Sequence, residues 1–150
     1  MTTYLLDTNV VVRLMEPAAP EHAMVRDAIR HLITAGHTLV LAPQVLTELW
    51  VVATRPVEVN GFGWHPSKTA DVIARLRSQF VLLDEGPAVF ERWLAMVQAT
   101  NVRGKCAHDA RLAALMLSQG VTSILTLNTT DFDGLPGVSA LHPSAVLAGE

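Results

Sequence analysis

Four acids stand in this sequence where a carboxylate is costly unless something positive meets it. Asp7 follows the apolar run Tyr4-Leu5-Leu6, while Asn128 and Asp131 follow Ile124-Leu125-Thr126-Leu127. Asp109 begins an alanine- and leucine-rich stretch that leads into that second run. Glu48 is the only charged residue between Ala42 and Thr54. In an open parallel sheet, ligands lie beyond the carboxyl ends of the strands, which is where Asp7 and Asp131 fall. Carboxylates gathered at one edge repel one another unless a cation sits between them. A donor set made only of oxygen selects a hard ion: Mg²⁺, with Mn²⁺ as a substitute, takes carboxylates and keeps waters for a phosphate substrate.

Each acid also has a plainer reading. Asp7 can simply cap the helical turn that Val10 begins. Asp109 can answer the positive end of a helix, and Glu48 can face solvent. Asp131 can form an Asx turn ahead of Phe132-Asp133-Gly134. Competing chemistries lack their signatures. The six histidines do not pair at metal-ligand spacing, and Cys106-Ala107-His108 is too lone a cluster for zinc. Gly61-Phe62-Gly63 lies in a loop between helices, away from any strand that would make it a phosphate cradle. There is no Gly-x-Ser-x-Gly elbow.

The elements that must position these acids are short. Apolar runs at Thr3–Leu6, Thr38–Leu41, Phe80–Leu83, Ser123–Leu127 and Val138–Leu141 predict five strands. Between them lie helical patterns. Glu21–Ala35 carries Val25, Ala28, Ile29, Leu32 and Ile33 on one face, and Gly36 ends it. Pro43 opens a helix to Thr54 that is apolar nearly all round and so reads as buried. Ser67 reads as the cap of a helix carrying Val72, Ile73 and Leu76. Pro87 starts one with Val89, Phe90, Trp93, Leu94 and Val97 on one face. A last helix covers Ala107–Gln119 and stops at Gly120. Strands alternating with helices predict an α/β fold: a mainly parallel sheet with helices on both faces.

At 150 residues the chain is expected to form a single domain over 1–150. Half of its residues are hydrophobic and 17% are charged, which excludes disorder and coiled coil. Eleven basic against 14 acidic residues leave a net charge of −3, so no bulk basic field draws in nucleic acid. Any such attraction must be local. The single cysteine, Cys106, excludes an intramolecular disulfide. With an acid at position 7 and no basic region ahead of its apolar run, the N-terminus does not read as a signal peptide. A soluble, cytoplasmic protein with no membrane association is expected.

Taken together, Leu6-Asp7-Thr8-Asn9-Val10, Glu48, His108-Asp109-Ala110-Arg111-Leu112-Ala113-Ala114 and Thr126-Leu127-Asn128-Thr129-Thr130-Asp131-Phe132 resemble the PIN domain. More narrowly, they resemble the VapC-type toxins of bacterial type II toxin–antitoxin pairs, in order and spacing from about Tyr4 to Leu141. The resemblance implies a three-layer α/β/α sandwich and a metal-dependent endoribonuclease that leaves 3′-hydroxyl and 5′-phosphate ends. It implies Asp7 and Asp109 as the main Mg²⁺ ligands and Glu48 as the second acid of the cluster. Asp131 is then an outer or second-metal ligand, with Asn128 close by as a neutral ligand or orienter. Thr8 and Asn9 match positions that brace the first carboxylate, and Thr126 a hydroxyl facing the site. Partners implied are an RNA substrate, a cognate antitoxin that silences the site, and a second copy in a homodimer.

Local positive charge is expected from Arg13 and Arg111, with Arg103 and Lys105 nearby, on the sugar–phosphate path. Phe62 and Trp64 offer a base-stacking or partner-docking surface, but tucking back onto the core is the commoner fate of such residues. The alternative within the fold is a non-catalytic PIN module that binds RNA or a protein. A receiver-like phosphoacceptor is disfavoured because Lys68 and Lys105 follow no buried strand. An Asp-x-Asp phosphatase is disfavoured because Asn9 stands at the second acid position.

Overall fold

Adjacent residues of a strand point to opposite faces of its sheet, so a strand buried at every position must be covered on both sides. Leu5 and Leu6 are both fully buried, as are Ile124 and Leu125, and Leu39, Val40 and Leu41 are nearly so. A computed structural model describes residues 1–149 and shows the architecture this demands. Five strands, β1 (Thr3–Leu6), β2 (Thr38–Leu41), β3 (Val81–Leu82), β4 (Ser123–Leu125) and β5 (Ser139–Leu141), form one all-parallel sheet in the order β3-β2-β1-β4-β5. Its register pairs Leu5 with Val40 on one side of β1, and Leu6 with Leu125 on the other.

Seven helices are present among the described residues: α1 (Thr8–Leu14), α2 (His22–Thr34), α3 (Pro43–Thr54), α4 (Pro66–Gln79), α5 (Val89–Thr100), α6 (Cys106–Ser118) and α7 (Pro143–Leu147). Helix α1 packs on α2 and α3, α2 on α7, α3 on α4, and α5 on α6. None is long and apolar enough to cross a membrane. The core runs from β1, β2 and β4 into the inward faces of α1, α2, α3 and α6.

The differences from the sequence reading have local causes. Helix α3 is not buried all round: Trp50 and Val51 are exposed, while Val45, Leu46, Leu49 and Ala53 face inward. Ile33 and Phe90 likewise stand outside the buried faces of α2 and α5. Strand β4 ends at Leu125 because Leu127 turns its N–H to the side chain of Asn9 (3.0 Å). Helix α4 is capped by His65, whose Nδ1 accepts the Ser67 N–H at 3.1 Å; Ser67 itself lies inside the helix. The same His-Pro-Ser triplet recurs at His142-Pro143-Ser144, with the same 3.1 Å bond, and starts α7, a helix the sequence reading did not contain.

Candidate active site

Sheet order decides where a site can form. From β1 the chain passes outward to β2 and β3 on one side, then returns to build β4 and β5 on the other. The crevice beyond the carboxyl ends of β1 and β4 is therefore the switch point of the sheet. Asp7 follows β1 directly, and its N–H extends the ladder to the Leu125 carbonyl (3.0 Å). It also caps α1, with Oδ1 accepting the Thr8 N–H at 2.8 Å. The capping and crevice readings of Asp7 are both realised by one side chain.

Around Asp7 lies a small polar network inside the fold. Thr126, fully buried one residue past β4, donates its hydroxyl to Asp7 Oδ2 at 2.7 Å. Asn9 donates from Nδ2 to Thr126 Oγ1 (3.2 Å) and Asp7 Oδ2 (3.4 Å), and its Oδ1 accepts the Leu127 N–H. Asn128 takes part through its backbone, whose N–H donates to Thr126 Oγ1 at 3.0 Å. Burial pushes the Asp7 carboxyl above the usual carboxylate range. The bonds from Thr126 and Thr8 oppose that rise, and the charges of Glu48 and Asp131 add to it.

Glu48 comes from α3, half-buried. Its Oε2 accepts the Thr8 hydroxyl (2.7 Å), and its Oε1 accepts Gln44 Nε2 (2.9 Å). Gln44 Nε2 also lies 3.1 Å from the His108 carbonyl. That link ties α3 to the first turn of α6, where Asp109 stands. The Asp109 carboxyl is pushed up to about 6 by burial first, then by the charges of Asp131, Asp7 and Glu48, with His108 pulling the other way. Asp131 is exposed on a turn of 3₁₀ helix at Thr129–Phe132. Asp7, Glu48, Asp109 and Asp131 all line one open cavity of about 900 Å³; the side chain of Asn128 does not.

Among the described residues, the ion pairs lie elsewhere, so none of these four acids has a basic partner within 4.0 Å. Nor, among the described residues, do any three His, Cys, Asp or Glu side chains close into a finished metal shell. The donors nonetheless fit a hard cation in kind, being carboxylates whose charges add to the raised proton affinity of Asp7 and Asp109. Mg²⁺ is commonly held by only one or two carboxylates, with water filling its remaining positions.

The expected cations divide. Arg13 lines the cavity but is engaged by Glu16 (3.2 Å) and Glu21 (3.4 Å). Arg111 pairs with Glu85 at 3.1 Å and lines a neighbouring depression with Phe90 and Trp93. Glu48 borders both spaces. Arg103 and Lys105 are exposed on the turn before α6.

The family description "PIN domain" matches residues 4–137 of the sequence. The chain belongs to the PIN domain family. Its fold is also that of solved structures with little sequence in common. A chain of VapBC2 from Rickettsia felis, bound to a DNA fragment from their promoter, is 14% identical with a TM-score of 0.68 over 94% of this chain and 98% of that one. A chain of VapBC-1 from nontypeable Haemophilus influenzae is 17% identical with a TM-score of 0.69 over 95% and 99%. Mycobacterium tuberculosis VapC20, described as a Sarcin-Ricin loop cleaving toxin, is 18% identical with a TM-score of 0.56 over 81% and 86%. No curated protein matches the sequence significantly.

Two side chains at or beside this PIN domain's cavity were not singled out from sequence. Gln44 bridges Glu48 to the start of α6, and its only advance signal is a Gln–Glu pair four residues apart on one helix. Arg55 lines the cavity from the end of α3 and has no sequence signal. Phe62 lines the cavity, and both Phe62 and Trp64 pack onto the core as expected of them.

Proposed function

We propose that this PIN domain is a metal-dependent endoribonuclease of the VapC toxin kind. One observation carries the reading: four acids from distant parts of the chain converge on one cavity with no counter-charge of their own. Asp7 and Asp109 would hold the ion, with Glu48 and Asp131 completing its surroundings. Mg²⁺ or Mn²⁺ held there supplies a Lewis acid that makes water a nucleophile at neutral pH and neutralises charge on the phosphate. The chain's own part is to hold the carboxylates in place. Thr126 Oγ1 and the Thr8 N–H fix both oxygens of Asp7, while the Thr8 hydroxyl and Gln44 fix both oxygens of Glu48. Attack of water on phosphorus with loss of the 3′ oxygen leaves 3′-hydroxyl and 5′-phosphate ends.

The cleaving toxin among its structural relatives favours an enzyme over a bare binding module. A structural relative from Klebsiella pneumoniae, solved as a toxin–antitoxin complex, favours control by a cognate antitoxin, and an uncompensated carboxylate cluster is a ready site for an antitoxin Arg. A homodimer acting in the cytoplasm completes the proposal.

Purified protein incubated with end-labelled total RNA tests it. Discrete fragments are expected with Mg²⁺ or Mn²⁺, and none with a chelator or with Asp7→Asn. Absence of cleavage by a folded, cation-binding, antitoxin-free protein would identify a non-catalytic module instead.

A further inference from the structure

We infer that Arg55 and Phe62 form a subsite for one unpaired nucleotide beside the bond to be cut, Arg55 on its phosphate and Phe62 on its base. This rests on the ribonuclease reading above and adds to it the form of RNA the cavity accepts.

Both residues belong to one loop that folds back on the end of α3. The Phe62 N–H donates to the Val52 carbonyl at 3.0 Å, Trp64 N–H to Ala53 at 2.8 Å, and Gly63 N–H to Arg55 at 2.9 Å. At Gly61 the backbone runs so close that an added Cβ would lie 1.9 Å from the Arg55 carbonyl oxygen, so only glycine fits. The loop is thus a fixed platform. The Phe62 ring rests against Trp64, centroids 5.1 Å apart, and Lys68 Nζ lies 4.4 Å over the Trp64 ring.

Arg55 is the cavity's available cation. Six acids line this space, counting Glu16 and Glu21, and those two engage Arg13. Among the described residues Arg55 pairs with no acid, and its guanidinium bonds only to the Asn60 carbonyl, at 3.0 Å. Its Nε is enclosed and has no hydrogen-bond partner. A forked donor with spare N–H groups suits a phosphate oxygen pair. A fixed aromatic ring on the same cavity wall suits a base. A duplex keeps its bases stacked on both faces, so only a base outside a helix reaches that ring.

The test measures binding of a fluorescein-labelled single-stranded RNA oligonucleotide in chelator, where nothing is cut, by anisotropy across a salt series. Arg55→Ala is expected to weaken binding and lower the slope of log K against log salt by about one, and Arg55→Lys to restore that slope. Phe62→Ala should weaken binding about ten-fold with the slope unchanged, and Phe62→Tyr should recover it. Thermal melts confirm that each variant is folded. Parental affinity and slope in folded Arg55→Ala would overturn the phosphate contact. An equal loss for Phe62→Ala on a double-stranded RNA of the same sequence would overturn the unpaired base. If the parent cuts RNA while both Ala variants bind as it does, the subsite alone fails. If these binding signatures hold but no RNA is cut with Mn²⁺, the nuclease reading alone fails.

Discussion

Asp109 carries the electrostatic strain of the site in measurable form. With its carboxyl at about 6, the folded protein holds that proton more tightly than the unfolded chain, whose carboxylates ionise near 4. Stability from this group is therefore lost as pH rises from about 4 to about 6, and the loss persists above. In metal-free buffer Asp109→Asn should melt above the parent at pH 7 by about 2–4 °C, a shift discounted for the group's partial exposure. The gap should close below about pH 4, and a constant gap across the pH range would refute the account. Gln44 supplies a second prediction at this scale, since it positions Glu48 against the first turn of α6. Gln44→Ala should reduce Mn²⁺ affinity and turnover about 10–100-fold while leaving KM for RNA unchanged, measured by cation titration and steady-state kinetics. Asp7, Glu48, Asp109 and Asp131 were legible as one group because charge stands out where a strand ends or a helix is apolar. Gln44 and Arg55 were not, since only the approach of the Gln44 side chain to the His108 carbonyl and the folding back of the Arg55–Trp64 loop give them partners.

At the scale of elements, the strands and five of the helices could be read from apolar runs and turn residues, and the misses are misses of context. Ile33 and Phe90 continue an apolar face by periodicity, but no neighbouring element packs over them there. Leu127 reads as strand until the Asn9 side chain takes its N–H. The His-Pro-Ser triplets show capping by a residue type that propensity ranks low. At His65 and His142 the imidazole Nδ1 does the work of an Asp or Ser oxygen, and Pro fills the first helical position, where no N–H is needed. His65→Ala should cost about 1 kcal/mol, about 2–4 °C in melting temperature, while His65→Asp keeps most of the cap. If His65→Asp melts as low as His65→Ala, the ring is held by packing and not by its bond to Ser67.

For the whole molecule, the cavity is a junction of β1, α3, α6 and the turn after β4, and a cation held there would join all four. Binding only to the folded state, Mn²⁺ should raise the melting temperature with the logarithm of its concentration, by about 2.7 kcal/mol of stability at a hundred times Kd. Asp7→Asn should remove that rise, and an identical rise in the variant would place the ion elsewhere. The fold class was legible because alternating short strands and helices leave few topologies, but which strands become neighbours is a long-range result. The central strand β1 is made first of the five, and Thr126, the hydroxyl partner of the Asp7 that follows it, lies 119 residues beyond Asp7 in the chain. At about 5–20 residues per second a ribosome needs about 6–24 s to travel from one to the other. Throughout that interval Asp7 lacks both its hydroxyl donor and the β4 edge that aligns it, so a nascent or prematurely ended chain has no assembled centre. On the nuclease reading proposed above, no RNA is cut before Thr126 has been made and has reached Asp7.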